Sequence, residues 1–295
     1  ELMTDTPPST AALEAADSFP VIALGLEYNG AAYRGFQRQI NGVPSVQQSL
    51  EEALSKVAGG VSISVQCAGR TDAGVHASSQ VVNFSTTVER PMRAWVMGAN
   101  QYLPSDISVT WAQKMPAGFN ARYNARARRY RYVIYNDPVR PAHLFDGVTW
   151  SFRPLDVERM RRAAQSWLGT HDFSAFRAAE CQAKSPIKTL YHFDVQRHGQ
   201  LIILDVRASA FLHHMVRNFA GVLMAIGAGD KPESWAAEVL ASCSRKAGGV
   251  TAPPYGLYLV EVEYPEEFSI PKRPIGPHFL SWLPDPYSVA DKAPE

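Results

Sequence analysis

From Val21 to Tyr264 the chain keeps changing period: short runs with apolar side chains at every second position alternate with single amphipathic helices. Val21 to Leu26 predicts a first strand. Ser45, with Gln48 three residues on, forms a capping box, and Val46, Leu50, Ala53, Leu54 and Val57 then share one helical face until Gly59-Gly60 ends it. Val61, Ile63, Val65 and Cys67 alternate with polar residues as a half-buried strand does, and Gln80 to Ser85 predicts another. Pro91 opens a second helix and Ile107 to Trp111 a further strand.

The second half is of the same kind. Tyr130 to Tyr135 is strand-like, and Asp156 caps a helix that the pattern carries to Gly169. Leu190 to Val195 and Leu201 to Val206 predict a hairpin across His198-Gly199-Gln200. A long amphipathic helix follows from about Leu212, another after Pro232, and Tyr258 to Tyr264 alternates as a last strand. The reading is an α+β chain of two subdomains, 20–118 and 119–265, each a mostly antiparallel sheet backed by helices. Residues 1–19, rich in Pro, Ser, Thr and Ala, are expected to be disordered. The Pro-rich, aperiodic extension 266–295 is expected to lie outside the fold.

Charge is unevenly spread. The whole chain carries +1, but residues 1–19 carry −4 and residues 266–295 carry −2, which leaves +7 on the core. A basic core between acidic ends suits a polyanionic partner. The most apolar stretch, Phe211 to Gly229, is interrupted by His213, His214, Arg217 and Asn218, so no segment is expected to span a membrane. Cys67, Cys181 and Cys243 are odd in number and widely spaced, as for reduced thiols in a cytoplasmic protein.

The stretch richest in chemistry is Ala68 to Ala77, in which Arg70, Thr71, Asp72 and His76 stand between small residues. Loops on a rigid scaffold are where catalytic side chains concentrate. The same residues also suit a plain turn closed by an Asx hydrogen bond, and residue chemistry leaves both readings open. The string GRTDAGVHA resembles the active-site signature of TruA-type tRNA pseudouridine synthases. Further segments resemble that family in the same order: Tyr28-Asn29-Gly30 with Gly35-Phe36-Gln37, Phe119-Asn120-Ala121-Arg122 leading into Arg129-Tyr130-Arg131-Tyr132, Gly169 to Phe173, Phe211 to Arg217, and Ala252 to Leu257. The likeness spans roughly residues 20–265. Asn29 stands where the family usually has Asp, and neither tail has a recognisable counterpart.

The resemblance implies two pseudo-symmetric subdomains with a basic cleft between them, working as a homodimer on tRNA. The implied reaction converts uridine to pseudouridine in the anticodon stem-loop, at tRNA positions 38 to 40, with no metal and no other cofactor. By the same resemblance Asp72 is the nucleophile, a carboxylate that attacks and later leaves. Arg217 is the cation that keeps it ionised against desolvation. Tyr130 stacks on the target base, Leu257 packs on the base's other face, and Arg70 handles the nucleotide during flipping.

Between Arg122 and Arg131 five arginines alternate with Tyr123, Tyr130 and Tyr132 and no acid intervenes. That composition fits an RNA surface, with Arg126 and Arg128 as phosphate contacts. Arg153, Arg159, Arg161 and Arg162 form a second, weaker basic group. The adjacent His213 and His214 are expected on different faces of a helix and so away from any shared metal. A noncatalytic RNA-binding module would lack Asp72 or Tyr130, and both are present. A hydrolase acting on a glycosidic bond needs a second carboxylate across the sugar, and no motif nominates one.

Overall fold

The computed structural model describes residues 19–178 and 185–285. The N-terminal tail lies outside the described residues except for Phe19, and so does Cys181. In chain order the strands are β1 (Val21–Tyr28), β2 (Gln66–Cys67), β3 (His76–Ser85), β4 (Ile107–Met115), β5 (Ala127–Asn136), β6 (Thr149–Ser151), β7 (Gly169–Asp172), β8 (Ile187–His198), β9 (Leu201–Ala208) and β10 (Leu257–Glu263). The helices are α1 (Val46–Val57), α2 (Met92–Tyr102), α3 (Val157–Ala164), α4 (Met215–Gly227) and α5 (Trp235–Ser242).

The strands of both halves join one ten-stranded sheet, ordered β4-β1-β3-β10-β5-β9-β8-β7, with β2 added to β3 and β6 to β5. Pairing within each half is mostly antiparallel, as expected, the exception being the short parallel pair of β6 with β5. The seam is a short parallel contact in which Tyr258 and Leu259 of β10 face His76 and Ala77 of β3. Parallel strands begin at the same end of a sheet. The loop entering β3, which holds Asp72, therefore lies beside the segment 249–256 that enters β10.

The caps fall where the sequence puts them. Ser45 Oγ accepts from Gln48 N at 3.2 Å and Asp156 Oδ1 from Arg159 N at 3.2 Å. α3 stops at Ala164, short of Gly169, and Gln165–Trp167 tightens into a 3₁₀ turn. The larger departure is Val61 to Val65. Ile63 and Val65 are buried as the alternation requires, yet only Gln66 and Cys67 form a strand. The backbone donors of the preceding residues go to α1 instead: Ile63 N to Ser55 Oγ at 3.0 Å and Val65 N to Glu51 Oε2 at 2.9 Å. Side-chain acceptors on a helix replace the ladder, so the segment lies against α1 without a strand partner.

The two faces of the central strands separate by residue parity. Tyr130, Tyr132 and Ile134 of β5, Leu204 and Val206 of β9, and Leu257 and Leu259 of β10 join the large core that includes the helices. Val133, Ile203, Tyr258 and Val260 point the other way and form a second cluster around Leu280. Leu280 belongs to the C-terminal extension. Contrary to the expectation from its composition, residues 266–285 pack on the fold: Leu280 is fully buried, Arg131 Nη1 donates to Gly276 O at 2.9 Å, and His278 Nε2 lies 2.6 Å from Glu27 Oε2. An extended, Pro-rich segment has no hydrophobic period, which is why its few apolar anchors were not legible as core.

Candidate active site

Loop 68–75 is held in place from three directions. Ala68 N donates to Val81 O at 2.9 Å and Gln80 Nε2 to Gly69 O at 2.6 Å, fixing its start on β3. From the N-terminal motif, Tyr28 Oη bonds Thr71 Oγ1 at 2.7 Å, Phe36 N donates to Thr71 O at 3.1 Å, and Gly30 N donates to His76 Nδ1 at 2.9 Å. A side chain at Gly30 would put its Cβ 1.9 Å from Val75 O, so the backbones touch there only because the residue is glycine. His76 is buried, and burial lowers its pKa. Its Nε2 faces the carbonyls of Asp146 and Tyr255, at 2.8 and 3.0 Å, so the neutral ring carries its proton on Nε2. The Tyr28-Asn29-Gly30 motif thus serves as the seat of the loop.

The loop presents Asp72 to α4. Arg217 Nη1 stands 3.3 Å from Asp72 Oδ2, and the same guanidinium is aimed by its Nε, which donates to Ala252 O at 2.8 Å. A residue 145 positions away thereby brings a guanidinium onto the carboxylate. Two further side chains meet the same group. His213 Nε2 lies 2.7 Å from Asp72 Oδ1 and His214 Nε2 lies 3.4 Å from Oδ2, with the two rings 4.0 Å apart.

This corrects the reading of the pair as divergent helical residues. α4 begins only at Met215, and His214 before it adopts a left-handed conformation, φ 63°. That turn rotates successive side chains to one side, which periodicity does not reveal. Asp72, His213 and His214 offer three metal-ligating atoms within 4.8 Å of one another. Arg217 on the same carboxylate opposes a second cation, and a 2.7 Å separation between His213 and Asp72 leaves no room for an ion between them, so we read the trio as a directly contacting polar cluster.

Tyr130 lies on β5 between Leu259 of β10 and Val206 of β9, and its hydroxyl reaches toward Gly69 of the loop. Phe211 packs edge-on against its ring at 4.8 Å. Burial, reinforced by the nearby Asp72, pushes its phenol well above the ordinary range, so it rests protonated. Leu257 opens β10 on the same sheet face and is buried. Arg70 is exposed on the loop beside Asp72. Of the residues singled out from sequence, the structure gathers Asp72, Arg217 and Tyr130 around the loop. Phe211, which the sequence placed only within a motif, and His213 and His214, which it placed on different helix faces, come to the same loop.

The arginine run divides. Arg126 precedes β5 and is exposed. Arg128 turns inward and donates to Ser209 O and Ala68 O at 3.1 Å each and to Arg122 O at 3.2 Å, tying the loop to β9. Arg129 and Arg131 lie on the opposite face, buried, and correct the view of the run as one RNA surface. Asp205 of β9 takes Arg129 through two bonds of 2.7 Å and Arg131 through one of 3.0 Å. The acid missing from the run comes from the neighbouring strand. In the second basic group, Arg153 forms a bidentate pair with Asp230, Arg162 pairs with Glu233, and Arg159 and Arg161 bond backbone carbonyls. These side chains serve local structure.

The sequence pattern of the tRNA pseudouridine synthase family matches residues 26–124 and 163–265, segments that contain Asp72, Arg217 and Leu257. The chain is 65% identical over 283 residues to tRNA pseudouridine synthase A of Pseudomonas aeruginosa, covering 96% of this chain and 99% of that protein. The chain belongs to the tRNA pseudouridine synthase A family. Its proteins from Alcanivorax borkumensis and Enterobacter sp. strain 638 are 54% and 55% identical over 264 and 260 residues, covering 90% and 88% of this chain and 97% and 96% of theirs. The 283-residue match reaches beyond 20–265, so the extensions do have counterparts in this family of isomerases. Among the described residues no helix is long and apolar enough to cross a membrane.

Proposed function

We propose that this chain isomerises uridine to pseudouridine in the anticodon stem-loop of tRNA, at tRNA positions 38 to 40, with Asp72 as nucleophile. The observation that carries the reading is the 3.3 Å pairing of Arg217 with Asp72, on the loop that the Tyr130 hydroxyl also approaches. We further propose that the enzyme acts in the cytoplasm as a homodimer, needing no metal or other cofactor.

The reaction breaks the bond between ribose C1′ and uracil N1 and joins C1′ to C5. The C5 proton leaves and N1 gains one, so nothing is oxidised. An ionised Asp72, paired with Arg217, is suited to attack and later depart. Tyr130, protonated at rest, offers a stacking face and a hydroxyl donor to the flipped base, and Leu257 an apolar wall. Arg70, exposed two residues before Asp72, would engage the displaced nucleotide. The groups on Asp72 are two imidazoles and a guanidinium, which favours isomerisation over a hydrolase with paired carboxylates. Tritium release from C5 of uridine in defined tRNA transcripts tests reaction and site together. Release of free uracil, or no tritium release at positions 38 to 40, would overturn the proposal.

Tyr130→Phe keeps the ring and removes the hydroxyl, whereas Tyr130→Leu removes both. Turnover is expected to fall severely in each, by roughly 100-fold or more, with tRNA binding by the Phe variant near normal. Parental turnover by Tyr130→Leu would reduce this tyrosine to core packing.

Arg126 and Arg128 are expected to separate in a salt series. Arg126 is exposed, so Arg126→Ala should flatten the slope of log affinity against log salt by roughly 0.7 to 0.9 and leave thermal stability unchanged. Arg128→Ala removes three backbone contacts and should lower stability as well. An unchanged slope in a stable Arg126→Ala variant would leave Arg126 as a solvated charge.

A further inference from the structure

The sequence pattern assigned no role to His213 and His214, yet His213 stands closer to Asp72 than Arg217 does, at 2.7 against 3.3 Å, and His214 stands nearly as close, at 3.4 Å. We propose that this histidine pair is the positioning device of Asp72, two imidazole N–H donors that fix the rotamer of the nucleophilic carboxylate. The inference rests on the reading of Asp72 as nucleophile.

A carboxylate only accepts hydrogen bonds, so a ring nitrogen 2.7 Å from Asp72 Oδ1 must carry a proton. His213 is therefore the donor to one oxygen. His214 and Arg217 converge on the other, at 3.4 and 3.3 Å. Burial lowers the His214 pKa, against the upward pull of Asp72, which favours the neutral ring over a counter-charge. Arg217 supplies the charge, and the imidazoles supply direction.

The backbone pays for this arrangement. A left-handed conformation at a non-glycine residue costs on the order of 1 kcal/mol and persists where its surroundings enforce it. Here it stands at the entry to α4 and brings the adjacent rings to 4.0 Å, tilted by 35°, with both Nε2 atoms toward Asp72. Were the pair ordinary surface residues, a helical start at His214 would avoid the strain and turn one ring away. The ring contact also gives His213, with 39% of its side chain open, a neighbour that holds its orientation.

The test compares His213→Ala, His213→Gln and His214→Asn with the parent. Gln places an amide donor near the position of Nε2, and Asn tolerates the left-handed backbone at 214. With one donor lost, the carboxylate samples other rotamers, and misplacement by about 1 Å is worth roughly 100-fold in rate. His213→Ala is expected to lower kcat roughly 10- to 100-fold, with the KM for tRNA and the melting temperature unchanged, and His213→Gln to recover most of kcat. His214→Asn is expected to show a smaller loss of the same kind. A kcat within twofold of the parent in His213→Ala would overturn the proposal, as would Gln being as impaired as Ala. If His213→Ala does not fold, His213→Gln decides: near-parental turnover supports the donor role, and a loss overturns it. Asp72→Asn in parallel separates the two levels. An active Asp72→Asn defeats the nucleophile reading, whereas an inactive one beside a fully active His213→Ala defeats only the positioning role.

Discussion

Asp72→Asn is expected to abolish turnover, by roughly 10⁴-fold or more, while tRNA binding and melting temperature stay near those of the parent. The amide keeps the shape of the side chain and its acceptor toward His213, but it loses the charge that pairs with Arg217 and that the proposed mechanism uses to attack carbon. Folding should tolerate the change because the loop is fixed by backbone contacts: Phe36 N and Gln80 Nε2 hold Thr71 O and Gly69 O at 3.1 and 2.6 Å. Single-turnover rates on a defined transcript, with binding measured separately, check it. Residual activity within tenfold of the parent would sink the assignment.

The largest stability effect is expected far from Asp72. Asp205→Ala strands two guanidinium groups whose side chains are only 1% and 3% exposed, those of Arg129 and Arg131. Removing one partner from a buried ion cluster costs about 3–5 kcal/mol, since the remaining charge stays desolvated and unpaired. Arg129 keeps Asp285 at 3.1 Å, a half-exposed acid from the C-terminal extension, which softens the loss without cancelling it. A fall in melting temperature on the order of 10 °C should follow. A loss below about 1 kcal/mol in chemical denaturation would show that water or the extension replaces Asp205.

Asp205 also shows why part of the molecule was hidden in the sequence. The run Arg122 to Arg131 contains no acid, so its arginines read as one exposed basic surface. β5 is a central strand, and the parity that sends Tyr130 toward the site sends Arg129 and Arg131 to the opposite face. Their partners stand 74 to 76 residues away and have no local signature. The extension was missed for a related reason. The opposite face of a sheet must be covered by something, and an aperiodic segment anchored by Leu280 covers it here.

Local order was legible wherever it is carried by neighbours in the chain. The Ser45 and Asp156 caps, the hairpin at Gly199 and the amphipathic face of α1 follow from propensity, period and turn chemistry. Val61 to Val65 failed as a strand because its donors were taken by Ser55 and Glu51 of α1, an alternative that alternation cannot weigh.

The sequence by itself determined the order of elements, the loop that carries Asp72 and the family to which the chain belongs. Each depends on residues close together or on a motif read in order. Tertiary structure alone decided that both halves share one sheet, because the β3–β10 seam joins strands about 180 residues apart in the chain. It also decided that His213 and His214 meet Asp72, since their convergence needs a left-handed residue before α4 and a loop delivered from the other half of the molecule.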